Sequence, residues 1–216
     1  MIASSADEPD PMSVNIIGRA HGRLVHQRRV RVLASRLARL LPNEGTVLDI
    51  GCGDGLLDKM LMESHPNLEV HGIDIAARPE AHIPVELFDG GVIPYQERSF
   101  DVTLLVDVVH HTDHQDALLA EAARVGRSAV IVKDHLSDAW LATARLRLMD
   151  QIGNRAHGVF IPYNYWSSDQ WFDAFTRLSL EPSVWETELH LYPHPIDWMF
   201  GRSLHFITRL ERAAKS

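Results

Sequence analysis

The stretch that decides the fold runs from Val47 to Gly55 and reads VLDIGCGDG. Its apolar first residues are typical of a short buried strand, and that strand runs directly into a cluster of glycines. Gly51, Gly53 and Gly55 leave the loop without β-carbons, so its backbone can press against a ligand where a side chain would collide. The stretch therefore predicts a strand, a ligand-binding loop and a following helix.

Outward from this loop, strand-like and helix-like segments alternate along the chain. Helices are predicted from Asp54 to Ser64, from Asp113 to Val125, from Ser137 to Gln151 and over SSDQWFDAFTRL. The strand-like runs are TVLDIG, LEVHGIDI, IPVELF, FDVTLLVDVV, SAVIVKD, VWETELHLY and SLHFITRL. Strands that alternate with helices form parallel sheets with helical crossovers. We therefore predict an α/β fold, Rossmann-like and doubly wound, with a mostly parallel seven-stranded sheet, helices on both faces and an antiparallel last strand.

Length and composition fit a single domain. The chain has 216 residues, of which 45% are hydrophobic and 23% charged, enough for one sizeable core. We interpret residues 1–20 as a flexible N-terminal arm, residues 21–216 as one domain, and residues 134–166 as an insertion on the substrate side. Apolar residues at helical spacing in 28–40 predict an amphipathic helix.

The net charge and the cysteine content limit the classes of binding partner and the cellular compartment that the sequence predicts. A formal net charge of -8 argues against nucleic acid, because such binding depends on clustered lysines and arginines. No stretch approaches the length of about 20 apolar residues that spans a bilayer. The single cysteine, Cys52, excludes an intrachain disulfide. Together with an N-terminus unlike a signal peptide, these features predict a cytoplasmic protein that acts on a small molecule, without nucleic-acid or membrane partners.

Acidic residues stand at the ends of the first three predicted strands. Asp49 can accept hydrogen bonds from a ligand amine or an ordered water. Asp74, in GIDI, can accept bonds from both hydroxyls of a ribose. Asp89, in LFDG, can receive an adenine amino group.

This constellation resembles the class I methyltransferases, especially the type 11 methyltransferases. VLDIGCGDG resembles their first motif, the acidic end of GIDI their second, and SFDVTLLVDVVHH their fourth-strand motif, over residues 28–134. The chain departs from the family in having ARVGRS where an LKPGG-like turn often precedes the fifth strand. The resemblance implies that the cofactor is S-adenosyl-L-methionine. The implied cofactor-binding residues are Asp49, Gly51, Cys52, Gly53, Asp74, Ile75, Asp89, Gly90, Asp107 and Val108.

Two other functions remain open at this point. A nicotinamide-dependent oxidoreductase usually carries a GxGxxG turn that directs a helix N-terminus at a pyrophosphate, whereas this chain has GxGxG. S-adenosylmethionine has no phosphate, and its ammonium and sulfonium suit a loop flanked by acids. The other alternative is a regulatory module that binds S-adenosylmethionine without catalysis.

The histidines suggest a base rather than a metal site. His110, His111 and His114 lie near several acids, but the predicted turn from strand to helix, with Asp113 as its N-cap, scatters their side chains. We therefore predict no metal. Parallel strands carry ligands at their carboxyl ends, which points to His111 and His135 as candidate catalytic residues. Either could take the proton of a hydroxyl acceptor, so O-methylation is expected ahead of N- or C-methylation.

The acceptor is expected to contact the insertion. Its aromatic and polar residues could wall an aromatic or amphipathic pocket, together with Trp198, Met199 and Phe200. The predicted substrate-binding residues are Arg145, Tyr163, Asn164 and Trp166.

Overall fold

The computed structural model describes residues 27–154, 164–201 and 203–213. The predicted arm, residues 1–20, lies outside them. The strands are β1 (Glu44–Ile50), β2 (Asn67–Asp74), β3 (Val85–Leu87), β4 (Phe100–Val106), β5 (Gly126–His135), β6 (Leu180–Glu186) and β7 (His205–Arg212). The helices are α1 (residues 27–38), α2 (Leu56–Ser64), α3 (Gln115–Val125), α4 (Ala142–Asn154), α5 (Ser168–Arg177) and α6 (Ile196–Phe200).

The seven strands form one sheet in the order β3-β2-β1-β4-β5-β7-β6. The pairs β1–β2, β1–β4, β2–β3 and β4–β5 are parallel, whereas β7 runs antiparallel to both β5 and β6. The predicted fold is therefore confirmed, including its antiparallel last strand. The order reverses at β1, where β2 leaves to one side and β4 to the other. In such sheets ligands bind at this reversal, beyond the carboxyl ends of the strands.

Two apolar clusters cover the two faces of the sheet. Along β5, Val130 and Val132 pack in one cluster, while Ile131 between them packs in the other. The first cluster takes its helical residues from α3 and α5, and the second takes them from α1 and α2. Each fully buried aliphatic side chain stabilises the fold by roughly 1.5–3 kcal/mol, so this alternation holds the helices on both faces. No described helix has the length and apolar character needed to cross a bilayer.

The structure corrects two boundaries. The predicted N-cap, Asp113, is wrong: α3 begins at Gln115 after His114, because a 3-10 turn over Val109–His111 delays the helix. Asp113 Oδ1 accepts a hydrogen bond from Asn164 Nδ2 at 2.7 Å instead. The sixth strand lies at Leu180–Glu186, earlier than the predicted VWETELHLY, because only those residues pair with β7.

Candidate active site

A cavity of about 430 Å³ opens where β1, β2 and β4 end. Its position at the reversal of strand order is the one expected for a ligand site in this fold. Eight of the ten predicted cofactor-binding residues line it. The full lining is Ile50, Gly51, Gly53, Asp74, Ile75, Ala76, Arg78, Phe88, Asp89, Gly90, Asp107, Val108, His111, Thr112, His114 and Leu118.

The glycine loop shapes one wall of this cavity. Gly51 has a φ of 81°, and a β-carbon there would lie 2.5 Å from Val108 Cγ2, so the tight contact between the loop and the segment after β4 requires glycine. Gly53 has a φ of 63°, yet a β-carbon there would meet nothing within 4 Å. The space in front of Gly53 is thus open to a ligand that approaches the backbone.

Asp74 is held rigidly at the end of β2. It is buried, and its two carboxylate oxygens accept hydrogen bonds from the backbone N–H of Gly53 at 2.9 Å and of Ala76 at 3.0 Å. A carboxylate oxygen has further lone pairs, so the oxygens can still accept hydroxyl donors. Ile75, which follows, exposes 61% of its surface on the cavity lining. The pair offers a fixed acceptor beside an apolar surface.

Asp89 lies on the same lining after β3. Its Oδ1 accepts the backbone N–H of Gly91 at 2.8 Å, and the side chain is otherwise exposed. The half-buried Phe88 and the exposed Ile75 provide apolar surface nearby on the lining. A planar, weakly polar group such as adenine would meet both apolar surface and an acceptor here.

Asp107 immediately follows β4 in a left-handed conformation, with a φ of 56° that non-glycine residues rarely adopt. Its carboxylate pairs with the Arg29 guanidinium from α1 and with the Lys133 ammonium from β5. Burial alone would raise the pKa of Asp107, but Lys133 and Arg29 together hold it well below its usual value. The ionised carboxylate thereby links the end of β4 to β5 at the cavity lining.

Asp134 is the centre of a second cluster of polar side chains, which is buried. Asp134 accepts hydrogen bonds from the backbone N–H of Val109 at 3.0 Å and of His135 at 2.7 Å, and its Oδ1 lies 2.6 Å from His110 Nδ1. Burial raises the pKa of Asp134, but His110 and His135 together lower it below its usual value, so the carboxylate stays ionised. The cluster anchors the turn that carries His111.

The two candidate catalytic histidines occupy different environments. His111 lies on the cavity lining, and its ring packs on that of His110 at a centroid distance of 4.0 Å. His135 is only 2% exposed and does not line the cavity. Its Nδ1 atom lies 3.2 Å from Asp134 Oδ1. Burial, then the charges of His110 and Lys133, lower the pKa of His135. The geometry brings His111, and not His135, to the cavity.

Two groups of potential metal ligands do converge among the described residues. They are Asp107 with His135 and His205, and His110 with Asp134 and His135, each with ligand atoms within 4.8 Å of one another. In the first group Lys133 Nζ contacts Asp107 and lies 3.2 Å from His205 Nδ1, so an ammonium already supplies the positive charge. In the second, Asp134 is occupied by the hydrogen bonds above. The absence of a metal stays a prediction.

Asp49 and Cys52, the two predicted cofactor residues off the main cavity, line a cleft of about 130 Å³ next to it. Gly51 and Asp107 belong to both linings, so the cleft continues the cavity past the glycine loop. Arg29 of α1 also lines the cleft. Burial raises the pKa of the Cys52 thiol, which keeps it neutral.

The predicted substrate residues are not gathered around the cavity. Asn164 Nδ2 donates to Thr112 O at 3.1 Å and so braces the loop after β4. Trp166 packs edge-to-face on Trp171 with centroids 5.0 Å apart, as part of the core. Arg145 donates from Nε to Met199 O at 2.7 Å and lines a separate cavity with two exposed tryptophans, Trp140 and Trp198. Tyr163 lies outside the described residues.

Sequence reasoning missed several residues on the lining, among them Phe88, Arg78, Thr112 and Leu118. Phe88 could have been found, because it immediately precedes Asp89 at a strand end. The others project from loops and from α3, where the sequence has no pattern that indicates direction.

Comparison with known proteins identifies the fold and the domain type. A family profile described as a methyltransferase domain matches residues 24–191. No curated protein matches the sequence. Similar solved structures include a protein from Pyrococcus horikoshii OT3, at 17% identity and a TM-score of 0.63, with 87% of this chain and 91% of that chain covered.

Another is the S-adenosylmethionine-dependent methyltransferase of Thermotoga maritima described as a possible histamine N-methyltransferase, at 20% identity and a TM-score of 0.62, with 92% of this chain and 96% of that chain covered. The cyclase SpnF is also similar, at 14% identity and a TM-score of 0.60, with 85% of this chain and 81% of that chain covered. At these identities the structural likeness establishes the fold alone.

Proposed function

Because this chain belongs to the family of methyltransferase domains, we propose that it methylates a hydroxyl group of a small-molecule acceptor. Enzymes of this family use S-adenosylmethionine, whose sulfonium supplies an electrophilic methyl group. The observation that carries the proposal is the carboxyl-edge cavity, in which the open face of Gly53, the fixed carboxylate of Asp74 and the imidazole of His111 share one lining. The nicotinamide alternative has no support from the family match.

The residues present fit an adenosine group in the cavity. The carboxylate of Asp74 suits the ribose hydroxyls, since its backbone partners fix its orientation before the ligand arrives. Ile75 and Phe88 offer apolar surface to the adenine ring, and Asp89 can accept its amino group. These contacts would hold the nucleoside across the ends of β2 and β3.

The adjoining cleft fits the amino-acid end of the cofactor. An amino acid carries an ammonium and a carboxylate, and the cleft offers charges of both signs. Asp49 Oδ1 is buried and has no hydrogen-bond partner among the described residues, so it can accept the ammonium. Arg29 supplies the positive charge on the same lining. Gly51 links the two spaces without a side chain between them.

His111 is the residue proposed to take the acceptor proton. A hydroxyl is a poor nucleophile until its proton leaves, and a histidine accepts protons near neutral pH. In that transfer S-adenosylmethionine would supply the methyl group to the acceptor oxygen and retain the electron pair of the carbon–sulfur bond, and the imidazole of His111 would take the hydroxyl proton. The packing of the His111 ring against that of His110, itself bound to Asp134, orients the His111 ring. His135 is buried away from the lining and is the weaker candidate.

The test is turnover with radiolabelled S-adenosylmethionine over a panel of phenols, alcohols and matched amines. We expect methylation of a hydroxyl compound, and His111→Ala should lower kcat by roughly 10²–10⁴ with little change in affinity for S-adenosylhomocysteine. His65→Ala, outside the site, is the matched control. Methylation of amines alone, or near-normal kcat in His111→Ala, would overturn the assignment. Cofactor binding without turnover on any panel member would favour the non-catalytic module.

A further inference from the structure

Asp58, in the first turn of α2, is an acid without contact to solvent. It is fully buried, and neither of its carboxylate oxygens has a hydrogen-bond donor among the described residues. A carboxylate in that position is costly unless a proton or a cation neutralises it. Neither the resemblance nor the site described above gives Asp58 a role.

The side chain that interacts with Asp58 is that of Asp49, near the end of β1. Both side chains are buried, and Asp49 is only 2% exposed. Burial and the neighbouring charge of Asp58 raise the pKa of Asp49 well above its usual value, and burial raises the pKa of Asp58 to about 6. Two adjoining carboxyls that cannot both ionise hold one proton between them near neutral pH and titrate as a unit.

The surroundings of the pair are mostly acidic. Asp74 of β2 and Asp54 of the glycine loop add negative charge, and the thiol of Cys52 is neutral. Across the cleft, the Arg29 guanidinium pairs with Asp107. A cation that enters the cleft beside Asp49 would therefore meet a net negative field.

We propose that Asp49 and Asp58 share one proton in the free enzyme, and that the amino group of the cofactor displaces this proton when it binds beside Asp49. The ammonium keeps its own proton, the shared proton leaves to solvent, and the pair becomes fully ionised against the new positive charge. Asp58 does not touch the cofactor. It is a positioning residue that couples cofactor affinity to pH, and this role rests on the proposed placement of the amino-acid end in the cleft.

The proton balance determines whether cofactor affinity rises or falls with pH. Binding that releases a proton is favoured by a low proton concentration, so affinity rises with pH as long as the free pair holds its proton. One proton released corresponds to an affinity gain of about tenfold per pH unit. The slope of one proton applies above about pH 6, where Asp58 is ionised, and should continue through neutral pH, because the pKa of Asp49 lies well above its usual range.

The experiment measures binding of S-adenosylhomocysteine to the full chain by calorimetry between pH 6 and 8, in buffers with different ionisation enthalpies. The wild-type protein should release about one proton and bind about tenfold tighter per pH unit. In Asp58→Asn the amide can donate a hydrogen bond to Asp49, which then ionises alone. Proton release and the pH slope should largely disappear. Glu63→Gln, an equal charge change at an exposed position of the same helix, should leave both unchanged.

A second ligand separates this proposal from the function on which it rests. Methylthioadenosine keeps the adenosine and the sulfur but lacks the amine, so it should bind without proton release. If S-adenosylhomocysteine binds with neither proton release nor pH dependence in the wild-type protein, the shared proton is wrong while the cofactor assignment stands. If methylthioadenosine releases as many protons, the amine is not the cause. If neither ligand binds at any pH, the proposed function is wrong, and this inference, which rests on it, is wrong as well.

Discussion

Replacing Asp74 by alanine tests the placement of the cofactor most directly. The carboxylate accepts two backbone N–H groups at 2.9 and 3.0 Å and is 5% exposed, so it is rigid and largely desolvated before a ligand arrives. Hydrogen bonds to a charged group contribute about 1.5–3 kcal/mol. If ribose hydroxyls bind this carboxylate, Asp74→Ala should weaken S-adenosylhomocysteine binding by roughly 10- to 150-fold.

The assay is isothermal calorimetry on the full chain, with thermal unfolding followed by circular dichroism. The unfolding control matters because the variant also leaves the N–H groups of Gly53 and Ala76 without their acceptor. Asp173→Ala, which removes an exposed acid from α5, controls for charge and should bind normally. A folded Asp74→Ala protein with unchanged affinity would refute the ribose assignment, and tighter binding of NADH than of S-adenosylhomocysteine would revive the oxidoreductase alternative.

Four further outcomes are expected. Gly53→Ala should fold with a modest loss of about 1–2 kcal/mol from its left-handed backbone, but its methyl group should lower cofactor affinity by occupying open space, as calorimetry would detect. Lys133→Met should lower the free energy of unfolding in urea by about 3–5 kcal/mol, because it removes a buried partner of Asp107; a loss below 1 kcal/mol would contradict this. His205 has a pKa well below its usual value, chiefly through burial, so it is neutral when folded and charges on unfolding. The stability that depends on neutral His205 should therefore be complete above about pH 6.5 and fall by up to about 1.4 kcal/mol per pH unit below it, a slope that His205→Gln should reduce. Turnover should survive exhaustive chelation, and loss that a divalent ion restores would show a metal requirement.

The local pattern of the sequence was sufficient to predict the sheet and much of the lining of the cavity at its carboxyl edge. VLDIGCGDG predicts a strand, a glycine loop and a helix because these depend on local hydrophobicity and on missing β-carbons. Parallel strands bring their carboxyl ends to one edge, so Asp74, Asp89 and Val108 could be placed on one lining from the order of elements alone. The residue-level cofactor roles remain predictions.

The substrate-side residues could not be placed this way. The polar Asn164 could line a pocket or brace a loop, and the aromatic Trp166 could line a pocket or pack in the core. Only the packing of the folded chain shows that Asn164 braces the loop after β4 and that Trp166 packs on Trp171. His111 and His135 both follow strand ends, but a turn directs the first to the cavity while the second is buried beside Asp134. The direction of a side chain after a strand depends on backbone angles that its neighbours impose.

The sequence by itself determined the order of strands and helices, the glycine loop and the acids at the strand ends, because each follows from residues adjacent in the chain. Only the tertiary structure decided which distant charges meet. Arg29 and Lys133 converge on Asp107, and Asp58 meets Asp49 across a helix and a strand. The energy of a buried charge depends on the groups within a few ångströms of it, and those groups come together only when the chain folds.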